Sequence, residues 1–344
     1  MLPNRKILDT SGAVIVSSSS AVGEKEFEGP LGSCFDYHDP SDRFGQKTFE
    51  KSEGEMQRLV LASAMGKINA RAEDIDALFA GDLLNQCVSS AYGLLEYDIP
   101  YFGLYGACST AAEGLMLASV FVSRRLANLA AAVTSSHNAA AERQYRNPLE
   151  YGGQRTPTAQ WTVTGAGAFI VAHRDDVISD KIYASVEDAF PGIVVERGVT
   201  DAANMGAAMA PAACDTLLNY FEASGTSPAD YDEIISGDLG REGLLILGEL
   251  LSASGVDASG KLGDCGIKIY DLEAQDVHAG GSGCGCSAVV LASYLLPKLK
   301  SGELSNILIY GTGAMMSPSS LKQGLAIPAV AHLIHLRSPE AKCK

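Results

Sequence analysis

Gly106-Ala107-Cys108-Ser109-Thr110-Ala111-Ala112-Glu113-Gly114-Leu115 places one cysteine where an apolar helix begins. The run before it, Ile99 to Tyr105, is apolar and aromatic and reads as a buried strand ending at Gly106. The run after it, Leu115 to Leu126, reads as a helix. A cysteine at such a turn lies at the positive end of the helix dipole, where backbone N–H groups favour a thiolate or a bound anion. The plainer alternative is a small core hydrophobe, a common fate of free cysteine.

Working outward, the 344 residues carry 47% hydrophobic and 19% charged side chains, as a compact chain with a sizeable core does. A net charge of -15 argues against nonspecific binding to nucleic acid or to an anionic bilayer. An anionic ligand would need a local positive site. No apolar run is long enough to span a membrane and no charged-then-apolar leader pattern opens the chain, so a soluble, cytoplasmic protein is expected. Eight cysteines are scattered, with Cys284-Gly285-Cys286 the one close pair, and neither a disulfide framework nor a metal or cofactor is expected.

Ala13 to Ser18 reads as a first strand. Val22 to Glu50 is a long loop rich in Gly, Pro and Asp, of the kind that forms lids, binding loops or interfaces. Glu53 to Ile68 is an amphipathic helix, Ile75 to Gly81 a strand, Leu83 to Leu95 a helix and Ala127 to Val133 a strand. A polar excursion follows from Arg143 to Gln160, and then a strand from Trp161 to Ala172. The second half repeats this order. Residues 72–84, AEDIDALFAGDLL, match residues 228–240, PADYDEIISGDLG, and Leu117-Ala118-Ser119 matches Leu291-Ala292-Ser293. Under the second offset the Cys108 turn falls on Gly280-Gly281-Ser282-Gly283. Two α/β halves are therefore expected, residues 1–175 and 176–344, packed face to face.

A duplicated half with a cysteine turn in one copy and a glycine-rich helix start in the other resembles the thiolase-like superfamily. That resemblance implies a five-layer α-β-α-β-α fold with two central helices, and a homodimer. Within the superfamily the chain resembles the stage V sporulation protein AD family of spore-forming bacteria. The residues that carry this are VIVSSSSAVGEKEFEGPLG, FDYHDP, KSEGEM, GACSTAAEGL, TSSHNAAAERQYR, TPTAQWTVTGAGAF, SGDLG and HAGGSGCGCSA. The resemblance implies binding of dipicolinic acid (pyridine-2,6-dicarboxylate) during its uptake into the spore. It also implies association with the integral-membrane subunits of the spore inner-membrane channel, with a peripheral location on that membrane.

Acyl transfer on such a fold uses a cysteine thiolate, a proton-moving His or Cys, and a His or Asn that stabilises the oxyanion. This chain keeps the first. It reads Ser236-Gly237-Asp238-Leu239 and Gly280-Gly281-Ser282-Gly283-Cys284-Gly285-Cys286 where the others are expected, and His278 precedes the Gly pair. A non-catalytic binding protein is the expectation. The rival is a condensing enzyme using Cys108 on an acyl thioester, and a third reading is a purely structural subunit. The expected ligand set is Cys108 and Ser109 at the helix start, Ser136 and His137 as donors, Asp238, His278, Gly281 for room, and Arg155, with Arg143 and Arg146 nearby in sequence.

Overall fold

The computed structural model describes residues 5–145 and 155–339. The first half holds strands β1 (Leu8–Gly23), β2 (Tyr37–Asp39), β3 (Ala77–Gly81), β4 (Tyr101–Leu104), β5 (Leu129–Ser136), β6 (Trp161–Thr162) and β7 (Gly165–His173). Its helices are α1 (Glu24–Phe27), α2 (Phe49–Lys67), α3 (Val88–Gly93), α4 (Thr110–Ser123) and α5 (Asn138–Tyr145). The second half holds β8 (Ala184–Phe190), β9 (Glu233–Ser236), β10 (Leu262–Asp264), β11 (Gly281–Ser282), β12 (Asn306–Ala314) and β13 (Ala329–Arg337). Its helices are α6 (Met205–Ser224), α7 (Gly240–Ala253), α8 (Cys265–Ile269), α9 (Cys284–Val290), α10 (Leu296–Lys300) and α11 (Pro318–Lys322); a π-type turn joins α9 to α10.

The strand order is β4-β3-β5-β7-β1 in one half and β10-β9-β12-β13-β8 in the other, the same order twice. β1 and β8 pair antiparallel, so the half-sheets are also joined at one edge. Helix α4 packs on strands of both halves, α9 lies beside it, α2 covers the outer face of the first half-sheet, and α6 and α7 cover the second. This is the five-layer thiolase-like architecture.

Local chemistry makes the repeat explicit. Asp74 and Asp230 each cap a one-turn helix, accepting from Arg71 N at 2.7 Å and Ser227 N at 2.8 Å. Asp76 and Asp232 then each tie down the start of a neighbouring strand, through Asn128 N at 2.6 Å and Asn306 N at 2.9 Å. Helices α4 and α9 start 174 residues apart, the offset at which the two Leu-Ala-Ser triplets align.

Three expectations change. The first strand runs from Leu8 to Gly23, and the serines after Val16 are buried strand residues, two of whose hydroxyls find carbonyls: Ser17 donates to Ala64 O at 2.7 Å and Ser18 to Ala292 O at 2.9 Å. The helix read over Leu83 to Leu95 is broken, since Gln86 and Cys87 take left-handed backbone (φ 60° and 53°) while Asp82 accepts Leu84 N and Ser90 N. The run Ile99 to Tyr105 is an outermost strand and not a buried one; Tyr101, Phe102 and Tyr105 are all more than a third exposed. Among the described residues no helix is long and apolar enough to cross a membrane, and no group of three or more His, Cys, Asp or Glu is placed to hold a metal ion.

Candidate functional site

Two helix starts meet at the centre. Cys108 sits in a single turn, Ala107–Ser109, just before α4, with Ala107 in left-handed backbone (φ 52°). Ser282 and Gly283 sit just before α9. Between them lies Asp238, fully buried at the end of β9. Its carboxylate accepts from Gly283 N at 2.9 Å, from Thr312 Oγ1 at 3.0 Å and from the Cys108 thiol. A second buried carboxyl, Asp264, accepts from Ser236 Oγ, Gly240 N at 3.2 Å and Ile267 N at 2.8 Å.

The electrostatics run against the thiolate expected from the helix start. Burial, and then the neighbouring Asp238 carboxylate, push the Cys108 thiol well above its ordinary value, outweighing Gly283 N–H and the Ser282 hydroxyl. Burial likewise raises Asp238, to about 7. The site thus holds a neutral thiol that donates to a carboxylate. Cys284, beside it, donates to Ser135 O at 3.0 Å and is also pushed up by burial. The cavity over Cys108 is about 50 Å³, with Leu83, Tyr145, Thr162, Met205, Ser282 and Met316 in its lining, and Glu142 at its wall.

The other sequence-derived residues do not all gather there. Ser109 turns its hydroxyl to Gly106 O at 2.7 Å, inside the turn. Ser136 donates to Val163 O at 2.7 Å and accepts from Gly285 N at 3.2 Å, forming the wall behind α9. Gly281 pairs with Trp161 in a two-stranded ladder and packs against Gly266, where a Cβ would sit 3.2 Å from the Gly266 Cα. His278 is partly exposed and faces Asp276 at 3.2 Å. Arg155 donates to the Asp276 carboxylate at 2.8 Å and lies 4.8 Å from the Trp161 ring centre. Arg143 pairs with Glu50, and Arg146 lies outside the described residues.

His137 belongs to a different cavity. This one, about 220 Å³, has Lys25, Glu26, Asp42, Arg43, Phe49 and His137 in its lining, with Asn138, Trp161 and Thr164 among the others. Lys25 Nζ stands 4.5 Å over the Trp161 ring and donates to Gln275 O at 2.6 Å, while Arg43 stacks 3.9 Å over Phe49. His137 Nε2 lies 2.9 Å from Asp42 O, and its ring centre is 5.0 Å from that of Phe49. Burial lowers the His137 pKa. Glu26 is fully buried, accepting from Thr164 N at 3.0 Å and from the Tyr270 hydroxyl, and burial raises it to about 7. Reading the sequence missed Lys25, Glu26 and Arg43. The available signal was the Val22 to Glu50 stretch, which supplies all three.

The chain can now be set beside known proteins. A family model described as Stage V sporulation protein AD matches residues 5–337. Over 316 residues the chain is 42% identical to the Stage V sporulation protein AD of Bacillus subtilis (strain 168), covering 92% of this chain and 91% of that one. Among solved structures, 3-oxoacyl-(acyl-carrier-protein) synthase III of Aquifex aeolicus VF5 superposes with a TM-score of 0.55 at 13% identity, over 95% of this chain and 100% of that one. Cerulenin-bound OleA of Xanthomonas campestris superposes with a TM-score of 0.57 at 15% identity, over 98% and 100%. These two likenesses concern the fold, which is that of the condensing enzymes, whereas the family match and the close relative concern descent: the chain belongs to the stage V sporulation protein AD family.

Proposed function

We propose that this chain is a binding protein of sporulation that takes up dipicolinic acid for a membrane channel complex, on a thiolase-like fold that does not turn over acyl thioesters. The observation that carries the reading is the buried Cys108–Asp238 pair. A nucleophilic cysteine works as a thiolate beside a base. Here burial and a carboxylate hold the proton on sulfur, and the groups around it are Ser282, Gly283 and Thr312 in place of an imidazole. Loss of one oxyanion donor alone costs about 10² to 10³ in turnover, and no histidine stands among the described residues that line the Cys108 cavity. A dianion finds two cations, Lys25 and Arg43, in the cavity that also holds the neutral His137 with Glu26 and Asp42 and lies apart from Cys108.

The chain acts, in this reading, on the inner membrane of the spore as a peripheral partner of integral-membrane subunits, and needs no cofactor. The outermost strand β4, with Tyr101, Phe102 and Tyr105 in or beside it and half exposed, is the natural surface for pairing in a homodimer. Titration calorimetry with dipicolinate tests the function. Measurable heat of binding is expected, and no binding at millimolar ligand overturns it. An acyl adduct on Cys108 after incubation with acyl-CoA, read by intact mass, would instead support the condensing-enzyme alternative.

A further inference from the structure

We propose that a cavity at the seam of the two half-sheets, beside Arg174 and Arg337, is a binding site for a phosphate group. It lies at the end of the sheet away from Cys108: β7 runs from Gly165, paired with Ser136 behind α9, to His173, and Arg174 follows it. The cavity is about 250 Å³, with Ser11, Arg174, Ser185, Glu187, Arg337 and Ser338 in its lining. It opens where β1 and β8 lose register between Asp9 and Ala13, so that Thr10, Ser11 and Gly12 face Glu187 alone. Irregularities of this kind re-aim strand side chains and are frequent beside binding sites. The proposal is independent of the dipicolinate reading.

Two guanidinium groups converge on Ser185 without a counter-charge. Arg337 is directly paired with Ser185 across the β13–β8 ladder, so their side chains share a face and stand about 5 Å apart at Cβ. Arg174 donates to the Ser185 hydroxyl. Among the described residues neither arginine forms an ion pair, whereas Arg124 and Arg125, at the same end of the molecule, pair with Asp9, Asp175 and Asp176. Glu187, the acid in the lining, pairs with neither. The Arg337 Nε is buried and has no hydrogen-bond partner. A buried N–H on a charged group costs more to leave unpaired than a neutral one. In a chain with 41 Asp and Glu against 26 Lys and Arg, two neighbouring arginines without a carboxylate are the exception that a bound anion explains.

The donor set selects the guest. The Arg337 Nε, the Arg174 guanidinium and the Ser185 hydroxyl, which accepts from Arg174 and keeps its own hydrogen to donate, come from three elements in both halves. A planar carboxylate is met by a single guanidinium fork. A tetrahedral phosphate points its oxygens in several directions and uses all three donors. Glu187 opposes the negative charge of such a guest, and its neutralisation favours binding. The phosphate can be carried by a soluble molecule or by a lipid headgroup; the chemistry at the site is the same, and the test separates the two.

Calorimetric titration of the full chain with inorganic phosphate, at an ionic strength held constant with chloride, is the test. Saturable binding is expected, with a rise in melting temperature that chloride and acetate do not give. Arg337→Gln and Arg174→Gln should each weaken binding by about tenfold or more, and Glu187→Gln should tighten it. Arg337→Lys, which keeps the charge and loses the fork, should bind with intermediate affinity, and melting of each ligand-free variant controls for folding. Vesicles of phosphatidylglycerol, against phosphatidylcholine, identify the source. Co-sedimentation that Arg337→Gln abolishes assigns a lipid headgroup, and phosphate binding without co-sedimentation assigns a soluble phosphate; both uphold the site. No phosphate effect beyond that of chloride overturns the proposal, and so does equal affinity for acetate. Phosphate affinity unchanged in both arginine-to-glutamine variants overturns it too, whatever the dipicolinate titration gives.

Discussion

Raising the pH from about 5.5 to about 8.5 should lower the melting temperature of the ligand-free protein. Asp238 and Glu26 are both fully buried, and burial raises each from an ordinary value of 3.8 or 4.5 to about 7. A carboxyl raised in the folded state stabilises while protonated. That contribution is complete below the unfolded value and is lost as pH climbs through the folded one. From pH 5.5, about 1.5 pH units remain before about 7, or roughly 2 kcal/mol for each group at about 1.4 kcal/mol per unit. The two together give roughly 4 kcal/mol as an upper bound, equivalent to a fall of up to about 6 °C in a chain of this size. Surface carboxylates such as Asp9 and Asp39, lowered by the Ser11 and Ser41 hydrogen bonds, act in the opposite sense, but only as pH falls through their depressed values, outside this window. Melting followed by circular dichroism at constant ionic strength is the assay, with Glu26→Gln expected to remove about half of the slope. A melting temperature that is flat or rises across the window refutes the reasoning.

Among the described cysteines Cys34 is the exposed one, so a thiol-alkylating reagent near pH 7.5 should label it first and leave Cys108 unmodified; rapid labelling of Cys108, read by peptide mass, contradicts the neutral buried thiol. Gly167→Ala should destabilise by about 3 kcal/mol or fail to fold, because the new Cβ would lie 2.7 Å from the Ala288 backbone where β7 meets α9; urea unfolding reads this. Gly248→Ala is the counterpart, since its Cβ meets nothing closer than Leu262 Cδ1 at 3.9 Å inside α7, and it should stabilise by about 0.5 to 1 kcal/mol. Phe102→Glu, on the outermost strand, should convert a dimer to monomer in light scattering; an unchanged mass removes β4 as the pairing surface.

Much of the architecture was legible because each half repeats chemistry that depends on short local signals. Asp74 and Asp230, Asp76 and Asp232, and Asp82 and Asp238 sit at matching turns, and a short acidic side chain before or after a strand has few alternatives to capping it. The first strand was read too short because four consecutive serines look like a loop; Ser17 and Ser18 lie buried by donating to carbonyls of α2 and of the turn after α9, and Ser20 by accepting from Asp36 N. The site was less legible. Expecting the strand end to point at the pocket joined Ser136 and His137 to Cys108, but the chain end of β5 is a wall: Ser136 faces α9, and the next residue, His137, faces the loop after β2. Lys25, Glu26 and Arg43 come from a stretch without periodicity, and their convergence depends on how that loop folds back over β6 and α5. Helix-start reasoning failed on the protonation of Cys108, because burial and the Asp238 carboxylate outweigh the Gly283 N–H and the Ser282 hydroxyl.

Asp238 has one consequence beyond the neutral thiol. The starts of α4 and α9 converge on its carboxylate, so the chain satisfies with its own side chain the attraction that such a place holds for negative charge. That counter-ion is covalently attached and, with burial raising its pKa to about 7, carries its charge only above that pH. Above about pH 7, where Asp238 is ionised, an anion entering the space above Cys108 would meet a resident negative charge, and below it a neutral acid, so the preference of this opening for uncharged guests should rise with pH.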